Sequence, residues 1–203
     1  MPERMYSQRD EERVIVDWFA RHRKVTGRFL DVGAYNAKVF SNTRRLYELG
    51  WSGVMVEGGP AQAAALADEY GTEPRITLVN CVLAEACGWR EFGVTRDALS
   101  SLDKAHQRLW HDNQKVQFSP VQVYAMDWKT FIARFGPRFD FISIDVEGFN
   151  WNLIRTIDFG SLGASLLCLE YGANRAEIIE YVRPWGYTLL HDTGENILLG
   201  WGK

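Results

Sequence analysis

Apolar residues in this chain switch repeatedly between helical and extended spacing. In residues 8–23 the apolar positions Val14, Ile15, Trp18 and Phe19 fall on one helical face, and Gly27 ends that segment. Residues 28–33 then form a short apolar run that ends in a carboxylate and a glycine. We therefore expect an N-terminal helix within residues 1–27, followed by a buried strand.

The same alternation continues to the end of the chain. Further strands are predicted at residues 51–57, 76–83, 121–126, 139–145, 165–171, 187–191 and 196–199. Helices are predicted near residues 42–49, 60–70, 97–111, 151–157 and 174–183, and after a cap at Asp127. Crossover helices between strands are typical of a parallel sheet. The last two strands are joined by residues 192–194 alone, which predicts an antiparallel hairpin at the sheet edge.

The expected fold class is therefore α/β, with a mostly parallel central sheet, helices on both faces and an antiparallel C-terminal hairpin. The 203 residues suffice for one hydrophobic core, so we expect a single domain over 1–203. Residues of about 87–120 interrupt the strand and helix alternation and are expected to form an insertion or lid. Irregular segments commonly carry specificity, so substrate choice is expected to reside there.

Composition and charge exclude several classes of protein. The formal net charge of −3 provides no broad attraction for nucleic acid, and none is expected as a partner. No apolar run reaches the roughly 18 residues of a membrane span, and no signal peptide is evident, so a cytoplasmic location is expected. Three cysteines without a C-x-x-C pair are interpreted as reduced core residues. The sequence leaves the oligomeric state open.

Carboxylates followed by small residues recur where the predicted strands end. They are Asp31, Glu57, Asp145 and Glu170. In an open parallel sheet, ligands bind outside the carboxyl ends of the strands, where the loops diverge. These four positions therefore predict the edge of the sheet at which a ligand binds.

The first strand end favours one kind of cofactor over another. Gly33 and Ala34 allow the backbone to approach a ligand closely, but Tyr35 and Lys38 stand where a G-x-G-x-x-G dinucleotide site needs glycines. A cofactor with a positively charged amino-acid end fits better than a diphosphate. Glu57, at the second strand end, is placed to accept hydrogen bonds from both hydroxyls of a ribose.

Taken together, these segments resemble the FkbM-type methyltransferases, which are class I S-adenosylmethionine-dependent enzymes with a Rossmann-like fold. The matching segments are FLDVGA at 29–34, SNT at 41–43, GWSGVMVE at 50–57, SSL at 100–102 and SIDVEG at 143–148. They keep the family's order and approximate spacing over residues of about 28–200. The resemblance implies O-methylation of a small-molecule acceptor, often a sugar or a secondary metabolite, with S-adenosylmethionine as cofactor.

The resemblance also implies which residues contact the cofactor. Asp31, Gly33, Ala34 and Asn42 would line its methionine end, Glu57 its ribose, and residues 80–82 the neighbourhood of its adenine. The full cofactor set is Asp31, Gly33, Ala34, Tyr35, Asn42, Glu57, Gly58, Asn80, Cys81 and Val82. Ser100 and Ser101 are expected in an acceptor pocket or lid.

Asp145 and Glu147 are the candidate catalytic residues, because a methyl acceptor needs a proton removed and crowded carboxylates have raised pKa values. In the alternative interpretation, Glu147 caps the next helix and Asp145 orders the turn. Asp145 and Glu170 are also candidate ligands for a divalent metal, although no third ligand is identified with confidence. His191 is interpreted as a strand-end histidine with its own partner rather than as that third ligand.

His106 and His111 are expected at the surface or in the lid. Two functions from other classes stay open at this point. One is a nicotinamide-dependent oxidoreductase, which the missing glycines disfavour, and the other is a noncatalytic S-adenosylmethionine-binding module.

Overall fold

Strands and helices alternate along most of the chain in the computed structural model, which describes residues 5–202. Residues 1–4 and Lys203, which belong to the expected domain 1–203, lie outside the described residues. The α-helices are Glu11–Arg21 (α1), Arg44–Glu48 (α2), Pro60–Tyr70 (α3), Lys104–Gln114 (α4), Trp128–Phe135 (α5), Asn150–Ile154 (α6) and Arg175–Val182 (α7). The strands are Arg28–Val32 (β1), Ser52–Glu57 (β2), Ile76–Asn80 (β3), Val82–Ala84 (β4), Gly88–Val94 (β5), Ser119–Asp127 (β6), Phe141–Ile144 (β7), Leu166–Glu170 (β8), Tyr187–Asp192 (β9) and Asn196–Trp201 (β10). Single 3₁₀ turns lie at Phe159–Ser161 and Arg183–Trp185.

A seven-stranded sheet in the order β3-β2-β1-β7-β8-β10-β9 forms the centre of the described part. Neighbouring strands among β3, β2, β1, β7 and β8 pair in parallel, whereas β10 is antiparallel to both β8 and β9. The predicted parallel sheet and C-terminal hairpin are therefore confirmed. Of the two hairpin strands, β10 lies inside the sheet and only β9 lies at an edge.

Alternating side chains of the same strands build a core on each face of this sheet. Leu30 and Ile142 pack with residues of α5, α6 and α7, whereas their neighbours Phe29 and Phe141 pack with residues of α1, α2 and α3. Successive strand residues point to opposite faces, so strands covered on both sides must be apolar throughout. The prediction of helices on both faces is confirmed.

The expectation that residues 121–126 continue the central sheet is wrong. They lie in β6, which pairs with β4 and β5 in a separate three-stranded sheet. The predicted strand 76–83 is also two strands, because the chain leaves β3 at Cys81 and enters the small sheet as β4. This sheet extends from Val82 to Asp127, with β4 before the expected insertion, β5 within it and β6 at its end.

The helix predicted over residues 97–111 begins later than expected. The Asp103 side chain accepts hydrogen bonds from the amides of Ala105 and His106 at 2.6 and 3.3 Å, which caps α4 at Lys104. The cap predicted at Asp127 is present, with Thr130 donating its amide at 2.7 Å.

Two further expectations concern the cysteines and the membrane. Cys81 and Cys168 are buried, but Cys87 is exposed rather than in the core. Within residues 5–202, no helix combines the length and the apolar character that crossing a membrane requires.

Candidate functional site

Two adjoining cavities open at the carboxyl ends of β1, β2, β7 and β8. The first has Glu57 and Gly58 on one wall and apolar residues of the small sheet, including Val82 and Phe92, on another; we call it the Glu57 cavity. The second is lined by Glu170 and Glu195 and is called the Glu170 cavity. Both cavities are lined by Gly33, Tyr35, Asp97, Ala98, Asp145 and Glu147. The two spaces therefore meet beside the candidate catalytic carboxylates.

The turn after β1 forms part of the boundary between the cavities. Gly33 has a φ of 84°, and a Cβ atom built there would lie 1.7 Å from the backbone oxygen of Asp145. Its amide and that of Ala34 donate to the Val56 oxygen at 2.9 and 3.1 Å. Glycine at this position thus allows the ends of β1, β2 and β7 to come together, in addition to lining both cavities.

Glu57 is held in place by backbone amides. Its Oε2 accepts from Tyr35 at 2.8 Å and its Oε1 accepts from Gly59 at 2.6 Å. Burial raises the pKa of Glu57, and these backbone hydrogen bonds oppose the shift. Each carboxylate oxygen has a second lone pair, so the side chain is oriented while it keeps capacity for two more donors.

The remaining predicted cofactor residues fall into two groups. Tyr35, Gly58, Cys81 and Val82 line the Glu57 cavity together with Gly33 and Glu57. Asp31, Ala34, Asn42 and Asn80 do not line it, and their cofactor-binding role remains a prediction.

These four residues have partners within the protein. The Thr43 hydroxyl donates to Asp31 at 2.5 Å, and Asn42 donates to Ser143 at 3.1 Å. Asn80 donates to the Glu57 backbone oxygen at 2.8 Å. Burial raises the pKa of Asp31 to about 6, against the opposing effect of the Thr43 hydrogen bond. In this structure they support the loops that line the cavity.

Asp145 and Glu147 follow β7 and contact the space between the cavities. Glu147 has a φ of 44°, so the chain turns sharply there, and this turn rather than strand alternation brings the two carboxylates together. The N-terminus of α6 has no side-chain cap, so Glu147 does not cap that helix. The Oδ1 atom of Asp145 is inaccessible to solvent and has no hydrogen-bonding partner among residues 5–202.

The two carboxylates share a strongly acidic environment. Burial, reinforced by the neighbouring charge of Glu170, raises the pKa of Asp145 well above its ordinary value. Burial also raises the pKa of Glu147 to about 8, with further contributions from the charges of Asp145, Asp97 and Glu195. Both groups are therefore stronger bases than ordinary carboxylates.

Asn150 is a site residue that the sequence reasoning missed. Its amide donates to Glu170 Oε2, and its Oδ1 accepts from the Val146 amide at 2.8 Å. It thereby fixes the end of β8 against the loop after β7. The SIDVEG segment ends two residues before Asn150, and a polar residue so close to a strand-end carboxylate was the available signal.

Asp145, Glu147 and Glu170 each offer an oxygen within 4.8 Å of the others. Glu147 thus supplies the third carboxylate that the sequence did not identify for a metal site. His191 does not belong to this group, because its Nε2 lies 2.9 Å from Asp10 Oδ1.

Residues of the expected insertion lie against the site. Ser100 lines the Glu57 cavity, whereas Ser101 is fully buried and donates its hydroxyl to the backbone oxygen of Glu147. His106 is half-buried with Nε2 3.7 Å from Glu147 Oε2, and burial lowers its pKa. Of the two histidines expected at the surface or in the lid, His111 is exposed and His106 lies near the turn at Glu147.

The Glu170 cavity also contains residues that the sequence did not single out. Phe40 and Trp110 provide aromatic surface, while Glu195 and Asn196 add polar atoms from the start of β10. These residues come from distant parts of the chain. Their proximity depends on β10 pairing inside the sheet next to β8, whereas the sequence predicted only a hairpin at its edge.

Comparison with known proteins places these features in a wider group. A family model described as the Methyltransferase FkbM domain matches residues 31–189. That segment contains the ends of β1, β2, β7 and β8 and the whole of the small sheet. The sequence matches none of the curated proteins with which it was compared.

Solved structures share the fold at low sequence identity. The crystal structure of methyltransferase FkbM from Methylobacillus flagellatus is 14% identical with a TM-score of 0.52, and the match covers 87% of this chain but 44% of that one. The present chain therefore spans less than half the length of that protein. A putative methyltransferase from Escherichia coli is 12% identical with a TM-score of 0.51, covering 98% and 87% of the two chains. A putative RNA methyltransferase from Pyrococcus horikoshii is 8% identical with a TM-score of 0.50, covering 100% and 91%. These similarities confirm the expected class I methyltransferase fold.

Proposed function

The chain belongs to the FkbM methyltransferase family, and we propose that it transfers a methyl group from S-adenosylmethionine to a hydroxyl group of a small molecule. The observation that carries this proposal is the junction of the two cavities at Asp145 and Glu147. A donor in one cavity and an acceptor in the other would meet beside two carboxylates of raised pKa. We also propose that residues 1–203 belong to one methyltransferase domain.

The Glu57 cavity has the chemistry that the donor requires. Its apolar wall includes Val82, Phe92 and Leu102, which suits a flat base, and Glu57 keeps acceptor capacity for ribose hydroxyls. Its charged lining residues are all carboxylates in the described part of the chain, which favours the sulfonium and ammonium charges of S-adenosylmethionine. The same lining repels a diphosphate, which argues against a nicotinamide cofactor.

The protein's own contribution to the reaction is positioning and proton removal. S-adenosylmethionine supplies an electrophilic methyl group that is already activated by its sulfonium charge. The walls of the Glu170 cavity hold the acceptor hydroxyl towards the junction, and either Asp145 or Glu147 accepts its proton. The nearby carboxylates that raise both pKa values increase the basicity of whichever residue does so.

An acidic acceptor cavity also bears on the substrate class. The carboxylates Asp97, Glu170 and Glu195 lie around the space where an acceptor would bind. A phosphodiester backbone would be repelled there, so we propose a small molecule rather than RNA.

Calorimetry tests this function with three ligands: S-adenosylmethionine, S-adenosylhomocysteine and NAD. We expect heat with the first two and none with NAD. No heat with either methionine derivative would refute the methyltransferase proposal. Binding without transfer of a labelled methyl group in a broad screen of alcohols, sugars and phenols would instead indicate a noncatalytic binding module.

A further inference from the structure

The Glu170 cavity contains a group of polar acceptors that the proposed methyl transfer does not use. Building on that proposed function, we infer that the acceptor carries a protonated amine next to its reacting hydroxyl, and that Glu170, Glu195 and Asn196 bind the ammonium group. The substrate class is therefore an amino alcohol or an amino sugar.

The charge of the cavity needs a cation. Its lining includes the carboxylates Asp97, Asp145, Glu147, Glu170 and Glu195, and in the described part of the chain it contains no lysine, arginine or histidine. Arg9 pairs with Glu195 Oε1 at 3.2 Å, but from an exposed position outside the lining. Apart from that arginine, the described lining gives these carboxylates no counterion, and burial together with their mutual charges raises the pKa of Asp145 and of Glu147. A bound cation would stabilise the ionised carboxylates, whereas a neutral acceptor would not.

The hydrogen-bonding state of Asn196 points to a ligand that is purely a donor. This side chain is only 3% exposed, and its Nδ2 donates to Glu11 Oε1 at 3.0 Å. That contact fixes the orientation of the amide, because the reversed amide would place two acceptors together. Its Oδ1 then has no donor among residues 5–202, and Glu195 Oε2 is in the same state. A buried acceptor without a donor is costly, and an ammonium group offers three donors and no acceptor.

Sheet pairing brings the three proposed ligands together. Asn196 lies directly opposite Glu170 in the β8–β10 ladder, and the Tyr171 amide donates to the backbone oxygen of Glu195 at 3.2 Å. Glu170 in turn offers an oxygen within 4.8 Å of oxygens of Asp145 and Glu147. Glu170 thus belongs to both sites, so an ammonium group at the first and a hydroxyl at the second suit an acceptor that carries the two groups close together.

The rest of the cavity fits an organic cation better than a bare metal ion. Its aromatic residues Phe40 and Trp110 suit a carbon framework. A metal held by Asp145, Glu147 and Glu170 would leave Glu195 and Asn196 without a partner. The Asn150 amide already donates to Glu170 Oε2, which is the behaviour of a carboxylate that accepts from N–H groups.

Three matched probes test the inference: trans-2-aminocyclohexanol, its N-acetyl derivative and trans-cyclohexane-1,2-diol. Each is titrated at pH 7 by calorimetry into the protein saturated with S-adenosylhomocysteine. We expect the amine to bind at least about tenfold more tightly than the other two, because charge-assisted hydrogen bonds are roughly twice as strong as neutral ones. Glu195→Gln should remove most of that preference while leaving S-adenosylhomocysteine affinity unchanged.

Glu180→Gln is the matched control, because Glu180 also pairs with an arginine but lies on the exposed surface of α7. It should retain the full preference for the amine. Equal binding of the three probes, binding of none, or an unchanged preference in Glu195→Gln would each overturn the inference. Stoichiometric binding of Mn²⁺ that excludes the amine would overturn it in favour of a metal site. If S-adenosylhomocysteine itself does not bind, the proposed function fails, and the same amine titration of the free protein still tests the ammonium site.

Discussion

The Glu57 cavity and the Glu170 cavity treat their carboxylates in opposite ways. Glu57 has a backbone amide on each oxygen, at 2.8 and 2.6 Å, before any ligand binds. In the Glu170 cavity, Asp145 Oδ1 and Glu195 Oε2 have no donor among the described residues. Both regions are acidic, but Glu57 has a donor from the chain on each oxygen, whereas Asp145 and Glu195 each keep one buried oxygen without a donor in the described part of the chain.

This difference separates a preorganised site from one that needs its ligand. The Glu57 carboxylate is oriented by the same turns that close the central sheet, so its position does not depend on occupancy. Burial, with a further contribution from the neighbouring carboxylates, raises the pKa values of Asp145 and Glu147 in the Glu170 cavity. A ligand that brings positive charge or a donor gains more in the second cavity than in the first.

The largest expected effect comes from the turn on which both cavities depend. Gly33→Ala places a methyl group 1.7 Å from the backbone oxygen of Asp145, at a residue whose φ is 84°. Relieving that overlap displaces β7 from β1, and we expect a loss of about 3 kcal/mol or more in the free energy of unfolding. Urea unfolding followed by circular dichroism measures it.

Gly163→Ala is the control for this variant. Gly163 also has a positive φ, of 70°, but no atom lies within 4 Å of the Cβ position. It should cost only the conformational preference, about 1 kcal/mol. Equal losses in the two variants would show that the approach of Gly33 to Asp145 has no energetic importance.

The next largest effect concerns the junction of the cavities. Asp145→Asn and Glu147→Gln each remove a candidate base, and loss of the residue that acts should lower kcat by about a hundredfold or more. S-adenosylhomocysteine affinity should change much less, because the donor cavity keeps Glu57. If Glu147 is the base, kcat/KM should rise with pH up to about 8, since the deprotonated form is active, and Glu147→Gln should lack that inflection.

These variants are assayed with an acceptor found in the screen, by transfer of a labelled methyl group. Full activity in both variants would remove the two carboxylates from the mechanism. Full activity in only one of them would assign proton removal to the other.

The part of this arrangement that the sequence predicted is local. Strand ends such as Asp31 and Glu57 are marked by a carboxylate after an apolar run, and parallel pairing brings them to one edge. The sequence did not distinguish β6 from a strand of the central sheet, because Val123 and Ala125 have the alternation of any strand with one buried face. Only long-range pairing with β4 and β5 decides between the two sheets.

The Glu170 cavity was harder to predict for the same reason. Asn196 and Glu170 are adjacent only because β10 inserts beside β8, and hydrophobic spacing contains no record of strand order. Asn150 and His106 lie in or near helices, where a polar residue ordinarily faces solvent. Their contacts with Glu170 and Glu147 come from tertiary packing.

A smaller effect is expected in the preorganised cavity. Glu57→Ala removes the proposed acceptor of two ribose hydroxyls, worth about 0.5 to 1.5 kcal/mol each, so S-adenosylhomocysteine affinity should fall by about fivefold to a hundredfold. Calorimetry measures this, with Glu85→Ala as a control, since Glu85 is exposed and does not line the cavity. Unchanged affinity in a folded Glu57→Ala protein would refute the ribose assignment.

A final comparison tests the environment of Glu147 through the pH dependence of stability. The pKa of Glu147 is about 8 in the folded protein, above its value of 4.5 in an unfolded chain. Folding therefore favours the protonated acid. The resulting contribution to the free energy of unfolding is fully present below pH 4.5 and is lost as the pH rises through 8.

Glu147→Gln keeps the shape of the side chain and cannot ionise. Between pH 5 and pH 9, wild-type protein should lose more free energy of unfolding than this variant, by about 4 kcal/mol, because each tenfold change in a proton-binding equilibrium corresponds to about 1.4 kcal/mol. Urea unfolding at several pH values measures the difference, and Glu85→Gln, which changes an exposed glutamate, should follow the wild type. Parallel curves for Glu147→Gln and wild type would mean that burial and the acidic neighbours do not raise the pKa of Glu147. The contrast between the two cavities would then rest on hydrogen bonding alone.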